Sequence, residues 1–240
     1  MNNLLTANGF IDSFKHAFVL NFISENRYMF IIKGLFVTIE ITVLATILGV
    51  VIGFIVALAK LSSFKIGNTK IFNTLASIYI GIIRGTPSVV QLLIIYYIIF
   101  GSVDVSKVLV AVIAFGINSG AYVAEIVRAG ILAVDKGQME AGRSLGLSYG
   151  ATMRYIILPQ AIKNILPALG NEFIVLLKET AIAGYIAIED LTKGGDIIRS
   201  RTYDPYMPLL TVAIFYLVLT TVLSHFLGRL ERRMRQGDSH

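Results

Sequence analysis

The sequence predicts an all-α membrane protein with about five transmembrane helices. Three observations carry this. Hydrophobic residues make up 55% of the 240-residue chain and charged residues only 15%, against about 25% charged in a soluble domain, and the mean hydropathy is +0.74. The apolar residues gather in runs close to the ~20 residues a helix needs to cross a hydrocarbon core. The lysines and arginines collect in alternate connecting segments, as they do when positive charge orients a multi-spanning chain. One membrane domain fits this length.

Taken in order, residues 1–27 form an N-terminal extramembrane or interfacial segment. They lack the basic, apolar and small-residue succession of a cleaved signal peptide. Phe10, Ile11, Phe14 and Phe18 beside Lys15 and His16 are weakly amphipathic, which reads either as a short helix on the membrane surface or as a frayed terminus. Residues 28–236 form the transmembrane domain. The first span begins near Met29 and contains the uncharged run ITVLATILGVVIGFIVALA, residues 41–59. Gly49 and Gly53 form a G-x-x-x-G there, a spacing that admits close helix approach. Span two covers about 70–100 and is interrupted by Arg84-Gly85-Thr86-Pro87. Each half is too short alone, so the two join as one kinked helix. Spans three, four and five cover about 107–133, 159–188 and 205–228.

Lys60, Lys65 and Lys70 lie between spans one and two, Lys136, Arg143 and Arg154 between spans three and four, and Arg229, Arg232, Arg233 and Arg235 after span five. These segments alternate, so they share one face, and that face is cytoplasmic. The N-terminus is then outside and the C-terminus inside. The net charge of +6 orients the protein rather than serving nucleic acid. With no cysteine and three histidines in no ligand-like spacing, neither a disulfide framework nor a metal site is expected.

The segment between spans three and four is longer than a connection requires. Met139–Leu145 is a helical run with Gln138 or Asp135 as N-cap partner, Gly146 allows a sharp bend, and Tyr149–Ile157 forms a second short helix. Pro159 is tolerated in the first turn of the next span. Helix, glycine bend and helix make a knob, over about 137–157, shaped to fit a partner's groove.

Here the chain resembles the permeases of ABC importers, which carry EAA, three residues, Gly, nine residues, then Ile-x-Leu-Pro. This sequence reads Glu140-Ala141-Gly142, Gly146 and Ile156-Ile157-Leu158-Pro159. Gly142 is the one departure. It weakens the first short helix by about 1 kcal/mol relative to alanine and leaves charge and bend unchanged. Arg84-Gly85-Thr86-Pro87, the run Asn118–Arg128, Leu158-Pro159-Gln160-Ala161, Leu166–Asn171 and Leu230-Glu231-Arg232-Arg233 are similar to the branch that imports polar amino acids. The resemblance spans about residues 28–236.

It implies a type I ABC importer permease fold and a multi-pass subunit of a bacterial inner membrane. It also implies a second permease subunit, identical or different, and two copies of an ATP-binding subunit on the coupling helices. An extracytoplasmic solute-binding protein would deliver a polar amino acid. The chain itself would bind no cofactor, with ATP and Mg on the ATPase. The absence of a G-x-x-x-x-G-K-[ST] loop agrees with hydrolysis on another polypeptide. The coupling residues on this reading are Glu140, Ala141, Gly142, Gly146, Ile156, Leu158 and Pro159.

Polar groups at bilayer depth face protein or water, not lipid. Asn118, Tyr122 and Glu125 are spaced i, i+4, i+7 and share a helix face with Ser119 nearby. Amide, hydroxyl and carboxylate together suit an ammonium-bearing solute. Glu125 has a second reading, as an ion-pair partner of Arg128 or of a base elsewhere. Thr86, at a broken helix of the kind transporters use for substrate, is a candidate contact, with a packing kink as the alternative. Arg84 sets a gate or pairs with Glu125. Glu172 and Glu179, seven residues apart, face the dimer or the pathway, and a salt-bridged helix contact is the expected role. A secondary transporter would show paired halves, and no internal repeat is present. A non-transporting scaffold would have no use for these buried polar groups.

Overall fold

The computed structural model describes residues 7–62 and 70–235, with side chains from residue 11 to 234. Lys65 of the first basic segment and the C-terminal limit at residue 236 lie outside the described residues. Ten α-helices follow one another, and no strand occurs among the described residues. In chain order they are α1 (Ala7–Phe18), α2 (Tyr28–Leu61), α3 (Ile71–Gly85), α4 (Ser88–Ile94) and α5 (Lys107–Leu132), then α6 (Lys136–Ser144), α7 (Tyr149–Thr152), α8 (Leu158–Glu179), α9 (Leu191–Thr202) and α10 (Tyr206–Arg235). Single π-helical turns follow α1, α4 and α7, and a 3-10 stretch, Thr180–Ile186, follows α8.

Three of these helices are individually long and apolar enough to span a membrane: α2, α5 and α10. They match expected spans one, three and five, although α10 continues to Arg235 and carries the basic tail as part of the helix. Span two differs from the single kinked helix expected. Its halves meet at 106°, because Thr86 is extended and Pro87 starts a new helix. Proline has no N–H to continue the first helix and disfavours helical backbone in the residue before it. Expected span four is shorter and more polar than its range implied. α8 ends at Glu179 and carries Lys163, Glu172, Lys178 and Glu179, so it fails as an apolar span by composition.

The helix α5 forms the centre. In its most apolar stretch 72% of residues are buried, against 33% in α2 and 11% in α10, which places α10 at the periphery. The α2–α5 interface is built on reciprocal small residues. Gly49 and Gly53 face Ser119 and Val123, while Gly116 and Gly120 face Leu48 and Ile52. The G-x-x-x-G of span one is therefore a helix contact, with a matching pair on its partner. Ile41, Ala45, Leu92, Val110 and Phe115 make one core cluster, and Ala57, Ile80, Ala124, Ala161 and Ile165 a second.

At the end where α2 begins, α9 lies against α2 at backbone distance. Asp190 caps α9, its carboxylate accepting from the Thr192 N–H at 3.2 Å and the Lys193 N–H at 3.0 Å. Asp190 is fully buried, and burial pushes its carboxyl up to about 6. The folded chain therefore holds this proton more tightly than the unfolded chain does. That stabilisation is complete at low pH and is lost as pH rises through the folded value. Asn also caps helices, so in Asp190→Asn the amide oxygen keeps one of the two backbone bonds and the ionisation is removed. Soluble protein remaining after heating should fall for the native chain between about pH 4 and pH 6 and change less for the variant, read by size exclusion.

Candidate functional site

A line of polar residues runs down α5, and each one meets a different element. Asn118 is buried, and its Nδ2 donates to Gln91 Oε1 at 2.9 Å. Gln91 Nε2 in turn points into the break between α3 and α4, donating to Ile83 O at 2.7 Å, Thr86 O at 3.0 Å and Thr86 Oγ1 at 2.8 Å. Thr86 Oγ1 donates to Ile82 O at 2.9 Å. One amide thus satisfies carbonyls that the break leaves free, and α5 holds that amide in place. A buried carbonyl without a partner costs about as much as a lost hydrogen bond, so Gln91 is what makes the sharp bend affordable. Sequence reasoning passed over Gln91. Its signal was present: the one amide in the apolar run VVQLLIIYYIIF, four residues after Pro87.

Ser119 Oγ donates to Glu172 Oε1 at 2.9 Å, linking α5 to α8. Among the described residues no lysine or arginine lies within ion-pair distance of Glu172 or Glu179, so the salt-bridged contact expected for that face is absent. The guanidinium of Arg84 sits 5.2 Å from the centroid of the Tyr122 ring. Glu125 takes Arg128 as its partner, with Nε at 3.0 Å, and Lys60 Nζ lies 3.8 Å away. Of the two readings of Glu125, the geometry in this chain is the ion pair, and Arg84 stacks on Tyr122 instead of pairing with it. Thr86 and Asn118 come together through Gln91, while Ser119, Tyr122 and Glu125 belong to separate contacts along the same helix. Arg84, Gly85, Thr86 and Pro87 are all exposed, so the break opens on the surface of the single chain. Among the described residues no three His, Asp or Glu side chains cluster to hold a metal.

The second feature is the knob. Asp135 caps α6, accepting from the Gly137 N–H at 2.6 Å. Gly146 then takes φ +81°, a left-handed conformation that favours glycine. Ser148 caps α7, accepting from the Ala151 N–H at 3.2 Å. A π turn over Met153–Ile157 leads into α8, with Pro159 in its first turn. Glu140, Ala141, Gly146, Leu158 and Pro159 are exposed and Ile156 is half-buried. Leu145, Tyr149 and Tyr155 also stand out, 81%, 61% and 68% exposed, an apolar tip that the motif residues alone did not mark.

Gly142 is buried, and its role differs from the one expected. A Cβ there would lie 2.5 Å from Thr152 Cγ2 and 3.1 Å from Ile156 Cδ1. The missing methyl lets α6 and α7 close on each other. Thr152 is fully buried and tied by its Oγ1 to Ser148 O at 3.0 Å, so it cannot swing aside freely. Gly142→Ala should therefore loosen the knob by about 1 kcal/mol despite the gain in helix propensity, seen as faster amide exchange over residues 136–157. Adding Thr152→Ser, which removes the nearest atom and leaves the hydroxyl oxygen at 2.9 Å, should recover part of the protection.

A family profile described as the binding-protein-dependent transport system inner membrane component matches residues 49–236. The chain belongs to this family. As an inner membrane component of such a system it is a permease subunit, and ATP hydrolysis belongs to a separate subunit. It is 40% identical over 215 residues to the arginine transport system permease protein ArtQ of Bacillus subtilis (strain 168), covering 87% of this chain and 94% of that one. Identity to the glutamine transport system permease protein GlnP of Escherichia coli (strain K12) is 44% over 168 residues, covering 69% and 77%. Among solved structures, an amino acid ABC transporter with histidines superposes with a TM-score of 0.81 at 50% identity, over 88% of this chain and 98% of that one. An inward-facing MetNI methionine ABC transporter shares the fold at 21% identity, with a TM-score of 0.72 over 86% and 96%. The expected all-helical importer-permease fold holds.

Proposed function

We propose that this inner membrane component carries a polar amino acid between itself and a second permease subunit, and that the segment Glu140–Pro159 seats it on a separate ATPase. The observation that carries the reading is the knob: two capped short helices, locked at Gly142 and bent at Gly146, presenting Leu145, Tyr149 and Tyr155 to a partner. Two such knobs would follow two ATP-binding subunits as ATP and Mg close them. The pathway would open outward to receive solute from a binding protein, and hydrolysis would return it inward. The positive-inside pattern supports an outside N-terminus and a cytoplasmic C-terminus. Residues 28–236 act as one transmembrane unit on this reading, with 1–27 as an appended segment.

The polar line on α5 supports the substrate class. Thr86 at the exposed break, Asn118 and Ser119 buried behind it, Tyr122 under Arg84 and Glu125 below form a polar seam in an apolar wall. Glu172 joins them. It is hydrogen-bonded to Ser119 and, among the described residues, has no base within ion-pair distance, so it offers a negative charge to an ammonium or guanidinium group. Glu125, already neutralised by Arg128 and Lys60, orders the seam. Relatives named for arginine and glutamine, and a structural neighbour solved with histidines, supply the solutes to try.

The test is uptake of labelled arginine, histidine and glutamine into vesicles holding this chain and its co-purified ATPase. Accumulation that requires ATP is the expected result. Accumulation driven by an ion gradient alone would point to a secondary transporter, and none under any condition to a scaffold.

A further inference from the structure

We infer that α1 is an interfacial helix whose apolar side lies in the lipid leaflet at which α2 and α10 begin, latched to the α9–α10 corner by Asn21. Ile11, Phe14 and Phe18 line one side of α1 and are 49%, 51% and 44% exposed. Val19, Leu20 and Ile23 of the following turn are exposed as well. Asp12, Ser13 and His16 occupy the other side at helical spacing. Beyond the adjoining turn, α1 packs extensively against no described element. A stripe of aromatic and aliphatic side chains left in water forfeits about 25 cal/mol for each Å², so a membrane protein has reason to cover it with lipid.

The depth of the segment identifies lipid as the cover. Asn21 is fully buried. Its Nδ2 donates to Asp204 Oδ2 at 2.7 Å and to Ala17 O at 2.8 Å, and its Oδ1 accepts from Thr202 Oγ1 at 2.8 Å. Asp204 also receives the N–H of Tyr206, the first residue of α10, at 2.9 Å. On the other side, Arg27 Nη1 donates to Leu20 O at 2.7 Å, and α2 begins one residue later. Phe22 is buried with Leu191, Ile198 and Val212. The turn is thus pinned to the first residues of two spans, which sets it at a membrane boundary. Glu25 and Asn26 take positive φ, 55° and 54°, and reverse the chain so that α1 does not extend α2. The exposed apolar surface resumes along the chain at Tyr28, Met29, Ile32 and Phe36 of α2, a face turned to lipid. Lys15, at the edge of the stripe, can lay its stem along the apolar side and reach the headgroups.

The chain has no cysteine, so a single introduced thiol reports one position. Phe14→Cys and, on the opposite side, His16→Cys would each be labelled with an environment-sensitive fluorophore. The full permease complex would be reconstituted in vesicles of phosphatidylethanolamine and phosphatidylglycerol. At position 14 the emission should be blue-shifted and quenched by brominated lipid, with iodide quenching about five-fold weaker than at position 16. Equal iodide access at both positions would overturn the proposal by showing a free helix in water. Shielding of position 14 from both iodide and brominated lipid would overturn it by showing a protein cover, a second copy included.

Discussion

Glu172→Gln should cut ATP-dependent uptake of a cationic amino acid by about 10- to 100-fold, the equivalent of one hydrogen bond to a charged group at roughly 1.5–3 kcal/mol. Glutamine keeps an oxygen to accept the Ser119 hydroxyl, which now sits 2.9 Å from Glu172 Oε1, so the α5–α8 contact survives and only the charge is lost. Because no described base pairs with Glu172, the variant leaves no cation stranded. Glu125→Gln is the informative contrast. It would strand Arg128 and Lys60, so its effect should appear as loss of assembled complex more than as loss of affinity. Uptake and the yield of intact complex, measured side by side, separate the two. A Glu172→Gln protein that assembles and transports normally would remove Glu172 from the pathway.

Gly34→Ala should be among the most damaging single methyls in the scaffold, costing about 3 kcal/mol or more. A Cβ at Gly34 would lie 2.5 Å from Asp190 O, 2.7 Å from Asp190 C and 2.9 Å from Leu191 Cα. All three are backbone atoms, so no rotamer change relieves the clash and α9 must move off α2. That movement breaks the bond from the Leu191 N–H to Thr38 Oγ1, at 3.1 Å between fully buried groups. It also uncovers Leu191 and Ile198, both completely buried. Gly228→Ala in α10 is the control. Nothing lies within 4 Å of its added Cβ, so it should be neutral or gain up to about 1 kcal/mol of helix propensity. Retention of the size-exclusion peak after graded heating would rank the two.

Much of this architecture was legible in the sequence because it is local. The course of α5 follows from the apolar run expected to span about 107–133. The break at Thr86-Pro87 comes from proline chemistry, and the knob from the cap before its first helix and the glycine bend at Gly146. The features that escaped depend on residues far apart in the chain. The 106° bend is sustained by Gln91 through Asn118, twenty-seven positions away. The close packing at Gly142 is set by Thr152, on the next helix. The N-terminal latch joins Asn21 to Thr202, separated by 181 positions. Periodicity locates helices, but it does not say which polar side chain on one helix completes another. For the same reason Asn118 and Glu125 stood out as polar groups at depth, while their partners Gln91 and Lys60 did not.

The central claim is that the knob docks an ATPase, and co-purification from gently solubilised native membranes tests it most directly. The intact chain would be compared with a double variant, Glu140→Lys with Gly146→Val. Nothing lies within 4 Å of a Cβ at Gly146, so valine acts through the left-handed backbone alone and the rest of the fold is spared. A nucleotide-binding subunit that accompanies the intact chain and is lost from the variant is the predicted result. An intact chain that retains no ATPase, or a variant that retains it as well as the intact chain, would contradict the account.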